Sequence, residues 1–353
     1  MTRPIRRISS SAARSILEHV PALSFSSDLR PTSAFQLKAL SISLLPLALN
    51  GALFAVTPAN AVSGVAWVWL LYFGGIIFFL LQSMRYMFAR AISTMPSFAA
   101  LLPEREDRQS LTRTLNIAGR RSLQFGASLS SAVAFMVALW FIAPALTHKL
   151  SIGPASYLAV GLVIFNLVSG GYWIIASVII LRALLLKSSI AVRRLDPLRT
   201  PALLELNKFY AAAAAFTLAV FLIMEVPAVL VLVLAHRSPL VIALNILAPI
   251  VALSFVIPIT ILPRSYLSRV ITREKARTLE IIVTGRADKD TYGAAELASI
   301  VKKMSISDRM QLYSLTSQMP ETTYSRGARL QLTLGVATII VPYVAQAIKY
   351  LTG

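Results

Sequence analysis

The chain has 353 residues, 56% of them hydrophobic and 14% charged, with a mean hydropathy of +0.70 and a formal net charge of +19. That balance lies outside the usual range of soluble domains, and the absence of cysteine excludes disulfides, thiolate metal sites and a cysteine nucleophile. So large a positive charge would suggest nucleic acid in a soluble chain, but no aromatic-plus-basic motif or recognition fold accompanies it, so no nucleic-acid partner is expected.

Residues 1–38 form a basic amino-terminal segment. Ile5, Ile8, Ala12, Ile16 and Val20 fall on one helical face and Arg3, Arg7, Arg14 and Glu18 on the other, the pattern of a short helix lying on a membrane surface. A mitochondrial presequence shares the Arg- and Ser-rich, acid-poor composition, which makes a mitochondrial inner membrane the alternative location.

Beyond this segment the charges are swept into short intervals. Residues 39–84, 122–147, 150–181, 238–263 and 330–348 contain no Asp, Glu, Lys or Arg, and 209–235 contains Glu225 alone. An apolar run of about 18 residues or more crosses a hydrocarbon core of roughly 30 Å as a helix. The first window is too long for one helix, and Thr57-Pro58-Ala59-Asn60 supplies turn residues inside it, so it reads as a hairpin of two. About seven transmembrane helices follow, near 39–56, 64–82, 123–146, 157–181, 209–235, 239–262 and 330–348. None shows the alternation of a barrel strand, so the expected fold is all-α, a polytopic helical membrane bundle.

Ala59-Asn60-Ala61 has the small-x-small form of a signal-peptidase site. The basic region ahead of it is 38 residues long, however, and Pro46 and Asn50 interrupt the apolar stretch, so the first helix is expected to remain in the mature protein.

The intervals between spans set the orientation. Six Lys and Arg precede the first helix, seven lie between the second and third, six between the fourth and fifth, and twelve between the sixth and seventh; the other side carries Lys149, Arg237 and Lys349. A division of 31 to 3 puts the amino terminus inside and the carboxyl terminus outside by the positive-inside rule. With fourteen of the fifteen acids also inside, that face carries +17 and is expected to meet anionic lipid headgroups.

Taken in order, the inside loop at 83–122 carries Pro96, Pro103 and Glu104-Arg105-Glu106-Asp107-Arg108 and reads as a solvated amphipathic connector. The loop at 182–208 contains Asp196-Pro197 and Thr200-Pro201, two prolines that fix a turn before the fifth helix. The longest loop, 264–329, reads as a small cytoplasmic helical segment between helices six and seven: a continuation of helix six up to Gly285, then a stripe of Leu297, Ile300, Val301 and Met304, and a second of Leu312, Leu315 and Met319. Ser305-Ile306-Ser307-Asp308 has the form of a capping box. The domains therefore run 1–38, 39–263, 264–329 and 330–353. Asp288-Lys289-Asp290-Thr291-Tyr292-Gly293 opens like a calcium loop, but Tyr292 stands at the fifth position, which calls for an oxygen ligand, and Ser299 at the twelfth, which calls for a bidentate Glu, and an Asp-capped helix start accounts for it.

Catalytic motifs are absent, and His19, His148 and His236 suit interfacial polar roles, so neither an enzyme nor a metal or cofactor is expected. The polar residues at membrane depth are the remaining candidates for function. Glu225 lies 12 residues before Arg237, which puts it roughly 18 Å from the outer boundary; Asn245 lies roughly 12 Å and Asn166 roughly 25 Å from it. Pro227 lacks an amide hydrogen and so frees the carbonyl of Ile223, which beside an acid could form a small-cation or proton site. Pro227 and the Gly170-Gly171 pair are the places where the helices are expected to break, and at Ser169-Gly170-Gly171 the backbone can either approach a neighbour closely or unwind. A protonated Glu225 serving only packing explains the residue equally well. Gly126-x-x-x-Ser130 and Ala211-x-x-x-Ala215 offer small faces for helix contact within the chain, with a second copy in a homo-oligomer, or with another membrane protein.

Leu195-Asp196-Pro197-Leu198-Arg199 before helix five, the charged helix after Ile261-Leu262-Pro263, and Met319-Pro320 before a last span containing Val341-Pro342 together resemble uncharacterised multi-pass bacterial inner-membrane proteins. The resemblance covers the second half of the chain, implies a bacterial inner membrane and brings no activity with it. Two functions follow from the residues: a channel or transporter for an ion, proton or small solute centred on Glu225, or a non-enzymatic interaction or regulatory component acting through the basic loops and helices.

Overall fold

The computed structural model describes residues 33–57, 66–102, 121–146, 153–185, 190–193, 195–196, 199–234, 253–254, 256–287 and 293–319, with single positions at 106, 109, 113, 250, 333, 337, 340, 341, 344 and 348. All regular structure among them is helical, with no strand. Eight helices are traced over continuous stretches: α1 Ser33–Val56, α2 Ala66–Leu101, α3 Arg121–Leu146, α4 Pro154–Leu185, α5 Pro201–Leu234, α6 Leu262–Thr284, α7 Ala294–Lys303 and α8 Ile306–Ser317. The first five are long and apolar enough to cross a membrane. The sixth and seventh expected spans fall mostly outside the described residues, as do residues 1–32 and 288–292.

Among the described helices, α2 packs against α1, α4 and α5, and α4 against α1, α2, α3 and α6, while α3 makes its principal contact with α4. In hydrocarbon, apolar side chains gain little by leaving lipid, so close packing and polar contacts between helices decide which faces turn inward. Small residues make the approaches possible. A Cβ on Gly74 would stand 2.8 Å from the Ser43 carbonyl oxygen of α1, so that pair of backbones meets only because residue 74 is glycine. The outward faces keep their large apolar groups: Trp140 and Phe141 of α3 are 68% and 74% exposed. In a chain of this composition these are the surfaces suited to lipid.

Four of the five apolar helices run well past their expected ends. α1 begins at Ser33, α2 continues to Leu101, α4 to Leu185, and α5 starts at Pro201, against expected limits of 39, 82, 181 and 209. Proline at the first helical position has no amide to lose and the right φ, which explains the early start of α5. The extensions exist because they pack on one another. Leu101 and Leu102, Val178 and Leu181, Ile190 and Val192, Leu203, Leu206 and Tyr210, and Leu267, Val270 and Ile271 form one buried cluster at the charged end of the bundle. Within it the Ala191 amide donates to the Leu101 carbonyl at 2.9 Å, and the Arg193 amide to Thr200 Oγ1 at 3.0 Å. The beginning of the 83–122 interval is therefore packed helix rather than solvated connector. The expected turn before α5 is present: the Arg199 amide reaches both the carbonyl and Oδ1 of Asp196 at 3.2 Å.

The segment after Leu262 behaves as a helical arm. α6 ends at Gly285, whose φ of 63° and amide bond to the Ile281 carbonyl make a left-handed cap. Ile281 and Ile282 then pack on Ala294, Leu297, Ala298 and Val301 of α7. Ser305 caps α8 as its sequence suggests, its Oγ accepting from the Asp308 amide at 3.1 Å. The expected stripes are only half used, because Ile300 and Leu315 are 51% and 57% exposed. Two charged side chains of α6 are buried in the arm, and one of them joins that helix to α8. Glu274 is fully buried against Arg277 Nη1 at 3.1 Å and Arg273 Nε at 3.4 Å. Lys275 Nζ donates to the carbonyls of Ser317 and Met319 at 2.7 and 2.9 Å, a cation on the carboxyl-terminal end of α8.

Candidate functional site

The expected site lies on α5, and its backbone is continuous there: the helix runs from Pro201 through Glu225 and Pro227 to Leu234. Pro227 therefore does not end it. The same correction applies to Gly170 and Gly171, which sit inside unbroken α4. Neighbouring helices explain the continuity, since a membrane helix keeps its turns where adjacent groups satisfy the backbone that proline or glycine weakens. At Gly170 the glycine serves close packing instead: a Cβ there would meet Met84 Cγ of α2 at 3.3 Å, whereas one at Gly171 would meet nothing within 4 Å.

The carbonyl that Pro227 frees is taken. Tyr72 of α2 donates its hydroxyl to the Ile223 carbonyl oxygen at 2.6 Å, across 151 residues of sequence. A helix carbonyl four residues before proline has no amide to accept, and a buried unpaired carbonyl is costly in an apolar interior, so the phenol fills a need created by the sequence of α5. The Tyr72 ring is itself held by edge-to-face contacts with Trp69 and Phe73, centroids 5.8 and 6.4 Å away. Around it, Ile76, Ile77, Leu80 and Val163 form an apolar cluster on which Ile223 and Met224 also pack.

The other candidates divide. Asn166 is buried on α4, and its Nδ2 donates to the Leu162 carbonyl at 2.7 Å, a bond within its own helix rather than across to α5. Leu162 packs on the same cluster as Tyr72 and Ile223, so this turn of α4 lies beside theirs. The backbone of Glu225 and Pro227 is placed by α5, while their side chains and the whole of Asn245 lie outside the described residues. Gln124, which the sequence did not single out, is joined to the Ser169-Gly170-Gly171 stretch: its Nε2 on α3 donates to Ser169 Oγ at 2.8 Å and lies 3.3 Å from the Ser169 carbonyl. One turn further along α3, Ser128 Oγ is buried with no hydrogen-bond partner.

Tyr72 was legible only as a residue type. A phenol in one span and a proline in another are suggestive once their helices are known to touch, and that contact is not written in either segment. Chemically, the arrangement gives α5 a hydroxyl donor bound to a backbone oxygen two residues before an acid. A phenol both donates and accepts, so it can hold a polar group or pass a proton. The chain matches no family model, no curated protein and no solved structure.

Proposed function

We propose that this is a multi-pass protein of the bacterial inner membrane that moves a proton, small ion or small solute by way of Glu225. The observation that carries the reading is the Tyr72–Ile223 bond: it brings a polar hydrogen from α2 to the turn of α5 that bears the only acid of an otherwise uncharged span. Ionisable residues at membrane depth are expensive and tend to mark pathways. In this reading the chain spans seven times, with its amino terminus and basic loops in the cytoplasm, its carboxyl terminus outside, and the α6–α8 arm projecting into the cytoplasm between spans six and seven. The 31 to 3 division of Lys and Arg supports that orientation.

The test is flux through the purified full-length chain in proteoliposomes, with protons, Na⁺ and K⁺ as probes and dye-filled lumens as the readout. Glu225→Gln should lower the conducted flux tenfold or more, with Glu225→Asp intermediate. Equal flux in the parent and Glu225→Gln would remove the reading.

A second reading has its own support. Ile306 and Met310 of α8 are 78% and 71% exposed, and Tyr313 lies on the same helical face. An arm with an uncovered apolar face suits a protein that docks a partner. As an interaction or regulatory component, the protein would tolerate Glu225→Gln and lose its role when α7 and α8 are removed.

A further inference from the structure

We infer that Tyr72 is the latch of the Glu225 turn: its hydroxyl takes the place of the amide that Pro227 lacks, so that the weakest point of α5 is fastened to α2 and bends only when that bond opens. The functional half of this inference rests on the Glu225 reading; the latch itself rests on geometry alone.

Three observations lead to it. First, the acceptor is specific: Ile223 is the residue four before Pro227, the one carbonyl on α5 that this proline deprives of a donor. Tyr72 reaches that oxygen at 2.6 Å. Second, the donor is held in place. Trp69 and Phe73 flank its ring, and α2 touches α5 again where Tyr86 meets Phe216 with centroids 5.3 Å apart. Third, α5 continues for seven residues beyond Pro227, to Leu234. Those residues follow a turn with one fewer backbone bond, and proline turns are the usual sites of helix kinks. Opening the Tyr72 bond leaves that turn free to pivot, and it exposes a carbonyl oxygen two residues from Glu225. Closing it covers the oxygen again. Tyr72 is thus a positioning residue acting through the backbone of α5.

The inference makes the two residues energetically dependent on each other, which a mutant cycle on the full chain reads directly. In the parent background, Tyr72→Phe removes the hydroxyl and leaves the ring, and should lower the midpoint of thermal unfolding in detergent by about 2–4 °C. In a Pro227→Ala background the amide of residue 227 returns to the Ile223 carbonyl, and adding Tyr72→Phe should shift the midpoint by less than about a quarter of that amount. Pro227→Leu serves the same purpose should the alanine variant not fold. In proteoliposomes the rescue should repeat: Tyr72→Phe changes flux several-fold, and Pro227→Ala makes flux indifferent to the hydroxyl. Equal losses in both backgrounds would overturn the latch, because the hydroxyl would then act without reference to the proline. The Glu225→Gln measurement is independent of this cycle. A coupled cycle with unchanged Glu225→Gln flux supports the latch and removes the transport reading, and additive losses with abolished flux do the reverse.

Discussion

Single residues carry this bundle where helices come closest. Gly74 and Gly171 are both glycines in apolar helices, yet their surroundings differ completely. Gly74 faces the Ser43 carbonyl at a distance that leaves no room for a methyl group, and a backbone atom cannot swing aside. Gly74→Ala should therefore cost about 1–3 kcal/mol, the range for overpacking, seen as a lowered unfolding midpoint in detergent. Gly171 has open space, so Gly171→Ala should be neutral or slightly stabilising by the same measurement, through improved helix propensity. Gln124 supplies a contrasting polar case. Its bond to Ser169 joins α3 to α4, and Gln124→Leu should weaken that contact by about 1 kcal/mol, the scale of an interhelical polar bond in a membrane bundle. The sequence named Gly170 as a close approach or a point of unwinding, and only its neighbour Met84 decides for approach. Glycine in a helix licenses either outcome; which one occurs depends on the helix opposite.

At the scale of elements, the arm formed by α6, α7 and α8 depends on a few charges as much as on its apolar seam. Glu274 is wholly buried against Arg273 and Arg277, which keep part of their side chains in solvent, so the buried carboxylate depends on them more than they depend on it. Glu274→Ala should destabilise the arm by about 1–3 kcal/mol, measured as faster protease cleavage around residues 285–293 of the full chain. Lys275→Met should release the end of α8, giving new cleavage near Ser317 while leaving the α6–α7 seam protected. Much of this arm was legible. The Ser305 cap, the helix ending at Gly285 and the apolar positions Leu297 and Val301 all follow from local pattern, because caps and helical stripes involve residues within a few positions of one another. The roles of Glu274 and Lys275 were not legible, since a charged residue in a mixed-charge helix normally faces water. Helix lengths were misjudged for a related reason. Charge marks where hydrocarbon ends, whereas α2 and α5 extend beyond that limit as far as they find partners in the cluster around Leu206 and Leu267.

For the whole molecule, the proposed orientation is directly testable because the chain has no cysteine of its own. A cysteine introduced at Lys302 should react with an impermeant maleimide only after the membrane is opened, and one at Lys349 should react in intact cells or spheroplasts. The opposite pattern at both sites would invert the proposed topology. The sequence alone determined that the chain is helical with runs long and apolar enough to cross a membrane, since the segregation of charge from long apolar runs is a one-dimensional property that needs no knowledge of which helix lies beside which. It also singled out Ile223 as a carbonyl in need of a donor, because proline acts four residues along the same helix. What only the tertiary structure decided is how that need is met: Tyr72, 151 residues away, is brought to the Ile223 carbonyl by the packing of α2 on α5. All the spans are apolar enough to sit anywhere in the bundle, so their hydrophobicity could not specify neighbours. Close approaches at glycine and a handful of polar bonds did, and those depend on two surfaces at once.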